Sequence, residues 1–270
     1  MKKNKLVTII FPSRGRLELV KQLLNSIETN TYDKSQIDVI SICDQDDIDT
    51  INLFYEISPT LSYDFKFISR RKHDILDLPN DYYDLGLKLA QDSYFLWILG
   101  NDCEIVTENW DYMLRQSLTY SIPTIYSDIE NNSKFYYIKI NDDTHIGDNG
   151  EFLNKYDDKS CCFPLLSMNY YYSSGEFYPK EIPTWGGDSC LYILTTKSNK
   201  FSIIDACDIL KINHYTYINQ RIEQDDISKR IEREHLDRKE EVDGSKYDWW
   251  SLPENFTKIL MKRKHILWDE

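Results

Sequence analysis

The stretch Leu6-Val-Thr-Ile-Ile-Phe11, with Pro12-Ser13-Arg14-Gly15-Arg16 directly after it, indicates how the chain begins to fold. The apolar, β-branched run is typical of a strand that is buried on both faces of a sheet, and the proline ends it. Over residues 17–30, apolar side chains recur at helical spacing while charged and polar side chains take the other side. A buried strand, a short polar turn and an amphipathic helix together predict the first unit of an α/β fold.

The same alternation of strand and helix continues to about residue 99. We predict strands at 37–43, 65–69 and 94–99, and a helix from Pro79 to about residue 91. Strands that alternate with helices imply right-handed crossovers and a parallel sheet, with a ligand site at the carboxyl ends of the strands. This part of the sequence therefore predicts an α/β core with its site at one edge of the sheet.

After Trp110 the elements become shorter. The predicted strands lie near 124–127, 135–140, 201–204 and 209–213, and the predicted helices at 168–174, capped by Gly175, and at 189–198. A mixed-charge stretch at 221–241 predicts a solvated helix. We therefore expect one domain over residues 1–220 and a helical extension over residues 221–270.

The composition excludes several classes of protein. The 45 acidic and 32 basic residues give a net charge of −13, which repels phosphate backbones and disfavours a general nucleic-acid binder. No apolar run approaches the roughly 20 residues of a membrane-spanning helix. The six cysteines include no C-x-x-C pair and no export signal precedes the first strand, so we expect reduced thiols and a cytoplasmic protein. Basic residues at 258–264 leave contact with a membrane surface as an alternative to a docked amphipathic tail.

Polar side chains follow the predicted strands at the positions that a parallel sheet would bring to one edge. Asp102 and Glu104 come directly after the strand at 94–99. Their carboxylates are hard oxygen ligands that suit Mg²⁺ or Mn²⁺ held partly by a substrate diphosphate, and a solvated turn is the alternative. Arg14 and Arg16 lie between a strand and a helix start, where free amide groups favour an anion. Two solvated arginines are the alternative there.

Four segments, 7–16, 84–90, 95–104 and 184–189, and a late histidine, His214, occur in a fixed order along the chain. Together they resemble the motifs of family 2-like glycosyltransferases of the GT-A fold. Val7 to Arg16 resembles their opening strand and Pro-Thr/Ser-x-x-Arg turn, and Asp84 to Ala90 is similar to their N-x-G-x-x-x-A helix. Phe95 to Glu104 is similar to their DxD strand, and Thr184 to Ser189 resembles their glycine loop with its acidic residue. The resemblance extends to His214, which stands where a late histidine often completes the metal shell.

Two positions depart from this pattern. Gly100 occupies the place of the first Asp of the DxD, so the carboxylate pair is either shortened or moved to Asp102 and Glu104. The acidic element lacks its usual Glu, which leaves Asp188 as the candidate carboxylate there. The first departure motivates one alternative function, a catalytically idle nucleotide- or sugar-binding module.

The resemblance implies a Rossmann-like, three-layer α/β sandwich with a mixed central sheet, in which residues 1–110 bind a nucleotide-diphosphate sugar donor and residues 111–220 face the acceptor. It implies Mn²⁺ or Mg²⁺ as cofactor, with Asp102, Glu104 and His214 as ligands. The residues expected at the donor are Pro12, Ser13, Arg14, Asp44, Asp84, Asn101 and Asp102, and those expected at the acceptor are Trp185, Gly186 and Gly187.

The implied reaction moves a sugar from a nucleoside diphosphate to an acceptor hydroxyl with inversion. Such a transfer needs one base to take the proton of the attacking hydroxyl, and Asp188 is the candidate. The same residue also suits the N-cap of the helix that follows, and both roles can hold together. His214 is either a metal ligand or a structural hydrogen-bonding residue. The acceptor stays open between a glycan, a lipid-linked glycan and another hydroxyl compound, with a modified base in DNA as an alternative that the net charge disfavours.

Overall fold

The computed structural model describes residues 5–72, 77–90, 93–142, 161–182, 187–215, 226, 229 and 253–268. Its strands are β1 Lys5–Ser13, β2 Ile37–Asp44, β3 Asp64–Arg70, β4 Ser93–Ile98, β5 Cys103–Ile105, β6 Phe135–Lys139, β7 Leu165–Ser167, β8 Phe201–Asp205 and β9 Ile212–His214. Its helices are α1 Leu17–Asn30, α2 Ile48–Ile57, α3 Asp84–Leu89, α4 Trp110–Ser121, α5 Ile125–Glu130, α6 Met168–Ser174, α7 Gly187–Lys197, α8 Pro253–Lys262 and α9 Lys264–Leu267. A π-helical turn, Leu78–Tyr83, runs directly into α3.

Seven strands of the described chain form one mixed sheet in the order β3-β2-β1-β4-β7-β6-β8. Strand β1 pairs in parallel with β2 and β4, and β2 pairs in parallel with β3. Strand β7 runs antiparallel to both β4 and β6, while β6 and β8 are parallel to each other. The mixed central sheet is therefore confirmed, and the carboxyl ends of β1, β2, β3 and β4 lie at one edge of it.

Strands β5 and β9 form a separate antiparallel pair, which brings the segment after β4 beside a late part of the chain. Cys103 lies opposite His214, and Glu104 lies opposite Asn213. Neighbouring residues of a strand point to opposite faces, so these two pairs lie on different sides of the small sheet.

The core lies where the sequence is most apolar. Every residue of β2 is buried, and the buried face of α1 carries the apolar side chains that recur at helical spacing. The Trp110 ring is fully buried, 5.2 Å from the Trp97 ring. Its indole N–H donates to Thr31 Oγ1 at 3.0 Å, so the buried donor is satisfied. Trp110 thus packs the core between α1 and the central sheet.

Several predicted elements are present close to their expected bounds. Helix α1 matches the prediction at 17–30, and α6 matches that at 168–174, with Gly175 at a φ of +72° after its end. The helix predicted from Pro79 begins one residue earlier, as the π-helical turn, and ends at Leu89. The helix predicted at 221–241 lies outside the described residues apart from 226 and 229.

Two predictions for the second half are wrong. The strand predicted near 124–127 is part of helix α5, in which Ile125 and Ile129 stand one helical turn apart and are both buried. The strand predicted at 209–213 begins only at Ile212. The N–H groups of Ile209 and Leu210 both donate to the Ala206 carbonyl at 2.9 Å, so this part of the chain is a turn.

The last described helices pack against the body of the protein. Ile259 of α8 and Leu267 of α9 are buried, and Ser198, just after α7, donates from its hydroxyl to the Leu267 carbonyl. Across the described ranges, no helix combines the length and the apolar character that crossing a membrane requires.

Candidate active site

Arg14 follows β1 and forms ion pairs with acidic residues at the end of β2. Its Nη1 lies 2.7 Å from Asp44 Oδ2 and 2.6 Å from Asp46 Oδ1. The hydrogen bond to Asp46, followed by the contact with Asp44, raises the pKa of Arg14, and the bond from Arg14 lowers the pKa of Asp46. Asp44 is fully buried and also accepts a 2.9 Å hydrogen bond from the Tyr82 hydroxyl. Two of the predicted donor residues, Arg14 and Asp44, are therefore in direct contact.

A single carboxylate, that of Asp47, holds the turn after β1. Gly15 and Arg16 have φ values of +60° and +52°, in the left-handed region. The Gly15 N–H donates to Asp47 Oδ2 at 2.7 Å, and Asp47 Oδ1 accepts from the Thr50 N–H at 3.4 Å in the first turn of α2. The turn that carries the two arginines is thus fastened to the start of α2.

Asp102 follows β4, and its two carboxylate oxygens face different partners. Oδ2 lies 2.8 Å from Arg16 Nη1, and Oδ1 lies 3.5 Å from His214 Nε2. Burial raises the pKa of Asp102, but the hydrogen bond and charge of His214 and the charge of Arg16 outweigh it, so the pKa lies below its ordinary value. The His214 ring packs edge-on against Phe163 at 4.8 Å, which fixes its orientation. Asp102 is therefore held as a charged carboxylate.

Asp102, Cys103 and His214 form a group that could hold a metal ion, since their ligand atoms lie within 4.8 Å of one another. Mn²⁺ and Mg²⁺ prefer oxygen and imidazole ligands to the sulfur of a thiol, so Cys103 is the least suitable ligand of the three. One carboxylate and one imidazole remain. This set fits Mn²⁺ or Mg²⁺ when substrate phosphates and water supply the other ligands.

Glu104 does not join this group, contrary to the expectation that it is a metal ligand. Its Oε2 accepts hydrogen bonds from Asn213 Nδ2 at 3.0 Å and from the Tyr215 hydroxyl at 2.5 Å. The physical reason is strand alternation, because Cys103 is paired with His214 and the next residue must face the opposite side of β5. Asp102 is thus the carboxylate of the group.

Gly100 explains why the motif departs from DxD. A Cβ built at this position would lie 2.3 Å from Asp102 Oδ1, far inside van der Waals contact. The Asp102 carboxylate therefore occupies the space that a side chain at position 100 would need. The position of the Asp102 carboxylate thus requires a glycine at position 100.

Asp188 lies in the first turn of α7 and accepts hydrogen bonds from the Ser189 N–H and the Cys162 side chain. Burial raises the pKa of Asp188 above its ordinary value, and the nearby charge of Asp142 acts in the same direction. Asp142 is itself buried and accepts a hydrogen bond from the Cys162 N–H. Asp188 therefore bonds to the helix start and also has the raised pKa that suits a general base.

Tyr83 is close enough to both Asp102 and Asp188 to be affected by their charges. Burial raises the pKa of its hydroxyl, and the charges of Asp102 and Asp188 add to that shift. The Tyr83 ring packs against Tyr178 with centroids 5.9 Å apart, and Asp188 is also among the causes, after burial, that raise the pKa of Tyr178. Asp102 and Asp188, one from each half of the chain, therefore both lie near Tyr83.

Asp84, predicted to face the donor, is held by two lysines. Its Oδ2 lies 2.7 Å from Lys88 Nζ, and its Oδ1 lies 3.1 Å from Lys180 Nζ. Burial raises the pKa of Asp84, but the two lysine contacts outweigh it and bring the pKa below its ordinary value. Asp84 thus connects the start of α3 to the segment that precedes α7.

Four further predicted site residues lie within the described part of the chain: Pro12, Ser13, Asn101 and Gly187. Pro12 and Ser13 end β1, and Asn101 lies in the turn after β4. Ser13 Oγ is buried and has no hydrogen-bond partner among the described residues. Gly187 begins α7 so close to Tyr178 that a Cβ there would lie 3.2 Å from its ring. The predicted acceptor residues at 185 and 186 lie outside the described residues.

Sequence reasoning missed several residues that shape this region. Arg70, at the end of β3, lies 3.3 Å from Asp81 Oδ2 and 4.5 Å above the Tyr82 ring. Its place at the carboxyl end of a predicted strand was a usable signal. Tyr82, Asp142 and Cys162 had no such signal, because only the folded chain brings them to the carboxylates that they contact.

The fold is similar to that of solved glycosyltransferases, although no protein-family model and no curated protein matches the sequence. S. aureus TarS 1-349 in complex with UDP-GlcNAc gives a TM-score of 0.53 at 12% identity, over 95% of this chain and 71% of that one. The mannosyltransferase PcManGT from Pyrobaculum calidifontis, in complex with GDP-Man and Mn²⁺, gives 0.51 at 12% identity, over 98% and 70%. GalNAc-T7 with UDP, GalNAc and Mn²⁺ gives 0.53 at 13% identity, over 97% and 54%.

These likenesses, together with the mixed sheet, show that the chain has a GT-A-like glycosyltransferase fold. The fold implied by the sequence motifs is confirmed. The chain spans 60% of the length of another TarS 1-349 structure, and 54% of that of GalNAc-T7.

Proposed function

We propose that the protein is a glycosyltransferase that uses a nucleotide-diphosphate sugar and a divalent metal ion. The observation that carries this proposal is the pairing of Asp102 with His214 just beyond the carboxyl end of β4. Ligands of open α/β sheets bind outside the carboxyl ends of the strands. Structures with a similar fold contain such ligands, since TarS is in complex with UDP-GlcNAc and PcManGT with GDP-Man and Mn²⁺.

Asp102 and His214 are the residues that would hold Mn²⁺ or Mg²⁺. When bound, the ion would neutralise the negative charge of the leaving nucleoside diphosphate. Arg16 contacts the other oxygen of Asp102 and keeps that carboxylate charged and oriented. Arg14, just after β1, would contact the nucleotide, as the motif resemblance implies. Asp44 is expected there as well, but it is fully buried, and its role would be to hold Arg14 through their ion pair.

Asp188 would take the proton of the attacking acceptor hydroxyl in an inverting transfer. Its burial makes it a stronger base than a solvated aspartate, which supports this role.

In the proposed division of the chain, residues 1–110 supply the donor side and residues 111–220 the acceptor side. The acceptor would be a glycan, a lipid-linked glycan or another hydroxyl compound. We place the protein in the cytoplasm because its six cysteines are all free thiols.

A thermal-shift screen of nucleoside diphosphates and nucleotide sugars, with and without Mn²⁺, tests the proposal. We expect one nucleotide to raise the melting temperature only when Mn²⁺ is present, because a ligand that binds the native state stabilises it. The shift should disappear in Asp102→Ala. It should persist in Asp64→Ala, which removes a half-exposed carboxylate from the opposite edge of the sheet. A wild type that no nucleotide or nucleotide sugar stabilises would contradict the proposal, and one that binds a nucleotide sugar but never turns it over would favour the catalytically idle module.

A further inference from the structure

We propose that the C-terminal helices are a positioning element for Asp188, with Arg263 as the residue that acts on it. Arg263 lies between α8 and α9 and binds the segment 176–182, which is called the strap below. The strap follows α6 and precedes α7, whose first turn carries Asp188. The inference rests on the proposed function, because it takes Asp188 as the base of the transfer.

Arg263 is buried, and each of its three guanidinium nitrogens donates a hydrogen bond. Its Nε donates to Glu176 Oε1, its Nη2 to Glu181 Oε2 at 2.7 Å, and its Nη1 to the Ile259 carbonyl at 2.9 Å. Arg263 is 4% exposed and Glu176 is 7% exposed. A planar guanidinium group that binds two carboxylates at once fixes their relative position, and a lysine cannot reproduce that geometry. The two ends of the strap are therefore fastened to one side chain of the tail.

The strap is also fastened to the other half of the molecule. Glu176 Oε2 accepts from the Lys180 N–H at 3.1 Å, so the first carboxylate shapes the strap itself. Lys180 Nζ donates to Asp84 Oδ1 at 3.1 Å, and Asn80 Nδ2 donates to the Lys180 carbonyl at 3.2 Å. The strap is therefore held between the C-terminal helices and the segment around α3.

Tyr178 connects the strap to the candidate base. Its hydroxyl donates to the Cys162 carbonyl at 2.9 Å, and the Cys162 side chain bonds to Asp188. Its ring also lies directly against Gly187, the residue before Asp188. A displacement of the strap would move Tyr178, and with it the contacts to Cys162 and Gly187 that position the Asp188 carboxylate. Arg263 itself does not touch the reacting groups, so its effect on transfer is one of positioning.

Three variants test this positioning role. Arg263→Met removes the charge and keeps much of the side-chain volume, and Arg263→Lys keeps the charge but cannot bind both carboxylates. Lys258→Met is the matched control, because Lys258 is an exposed cation of α8 whose contact is to Asn255 of the same helix. For each variant we would measure hydrogen exchange over residues 176–190, the Kd of the nucleotide sugar that the thermal-shift screen selects (the donor below), and kcat and KM for release of nucleoside diphosphate from that nucleotide sugar.

We expect Arg263→Met to exchange faster over residues 176–190 and to bind donor within about twofold of the wild type. Its kcat should fall on the order of 10²-fold, since small misplacements of a reacting group cost that much. Arg263→Lys should recover part of the loss, and Lys258→Met should match the wild type. An unchanged kcat in folded Arg263→Met overturns the proposal, as does a donor Kd that weakens in step with kcat.

Glu181→Gln replaces Arg263→Met as the test if Arg263→Met does not fold. It weakens the contact between Arg263 and residue 181 and leaves Arg263 bound to Glu176. It should show a smaller loss of kcat at unchanged donor Kd, and a wild-type kcat in both Glu181→Gln and Arg263→Lys overturns the proposal. Failure of the proposed function is recognised separately, by a wild type that turns over no donor. In that case the exchange data still decide whether Arg263 holds the strap.

Discussion

Asp102 and Asp188 show how surroundings can give two aspartates different properties. Burial raises the pKa of both, but the His214 and Arg16 contacts bring that of Asp102 below its ordinary value, while Asp188 stays above it. A carboxylate that remains charged suits a metal ligand, and one with a raised pKa suits a proton acceptor. The environments of these two residues therefore agree with the roles that we propose for them.

Gly100→Ala tests whether the missing side chain is part of the metal site. The added Cβ would lie 2.3 Å from Asp102 Oδ1 and would displace the carboxylate from His214. We expect Mn²⁺-dependent nucleotide binding to weaken by about tenfold or more, as for other changes that disturb the orientation of a ligand. Isothermal titration calorimetry with the nucleotide and Mn²⁺ measures this effect.

Gly175→Ala is the control for that variant. Gly175 has a φ of +72°, and a Cβ there meets no atom within 4 Å. The substitution should cost about 1 kcal/mol in the free energy of unfolding, because alanine adopts the left-handed region poorly, and should leave nucleotide binding unchanged. Equal binding in Gly100→Ala and the wild type would show that position 100 has no influence on the site.

Asp188→Asn tests the base through the pH dependence of the rate. The wild-type kcat should fall as the pH drops through the raised pKa of Asp188, because only the carboxylate form accepts a proton. The variant should lose on the order of 10²–10⁴-fold in kcat and should lack this acidic limb, while its donor Kd is unchanged. A variant that keeps the acidic limb would assign the titration to another group.

Asp188→Asn should increase the stability of the protein at neutral pH, although it lowers kcat. Since the folded-state pKa of Asp188 is raised, the native protein holds the proton more tightly than the unfolded chain does. The Asp188 contribution to stability is therefore largest in acid and is lost as the pH rises from the unfolded-state pKa through the folded-state pKa. At neutral pH we expect Asp188→Asn to unfold at a higher urea concentration than the wild type. A lower midpoint would contradict the burial cost inferred for this carboxylate.

At the scale of elements, the sequence predicts those helices and strands whose pattern of buried side chains lies within one continuous segment. Helix α1 has the expected bounds because its apolar side chains recur at helical spacing around one face. Helix α5 is too short for such a pattern. That Ile125 and Ile129 share one buried face is evident only from the folded core. The antiparallel insertion of β7 between β4 and β6 has no local signal, because it depends on pairing between distant segments.

Gly86→Ala tests how closely α3 must approach the sheet. A Cβ at this position would lie 2.7 Å from Ile10 Cγ2 and 2.8 Å from Ile42 Cδ1. Forcing a methyl group into this packed place should lower the free energy of unfolding by about 1–3 kcal/mol. Urea denaturation measures the change. Leu89→Ala, at a 40% exposed position of the same helix, should cost less, and equal costs would refute the close approach.

At the scale of the whole molecule, the order of motifs predicted the GT-A-like fold and the residues at the strand ends. Arg14 is in contact with Asp44, and Asp102 with His214, and the roles of these residues at a donor and a metal ion stay predictions. The position of Glu104 could not be predicted, because the register of β5 against β9 decides which face it takes. Three-dimensional packing also determines the strap contacts, which join the C-terminal tail to the candidate site.

The most direct test of the enzyme is the release of nucleoside diphosphate from a panel of nucleotide sugars, with water or an added glycan as the acceptor of the sugar, followed with Mn²⁺ and with a chelator. His214→Ala is compared with His265→Ala, which changes an exposed histidine of α9. We predict that one nucleotide sugar is cleaved in a Mn²⁺-dependent way, that His214→Ala loses about tenfold or more of this activity, and that His265→Ala retains it. Cleavage of no nucleotide sugar by the wild type, or a Mn²⁺-dependent rate in His214→Ala equal to that of the wild type, would contradict the proposed function.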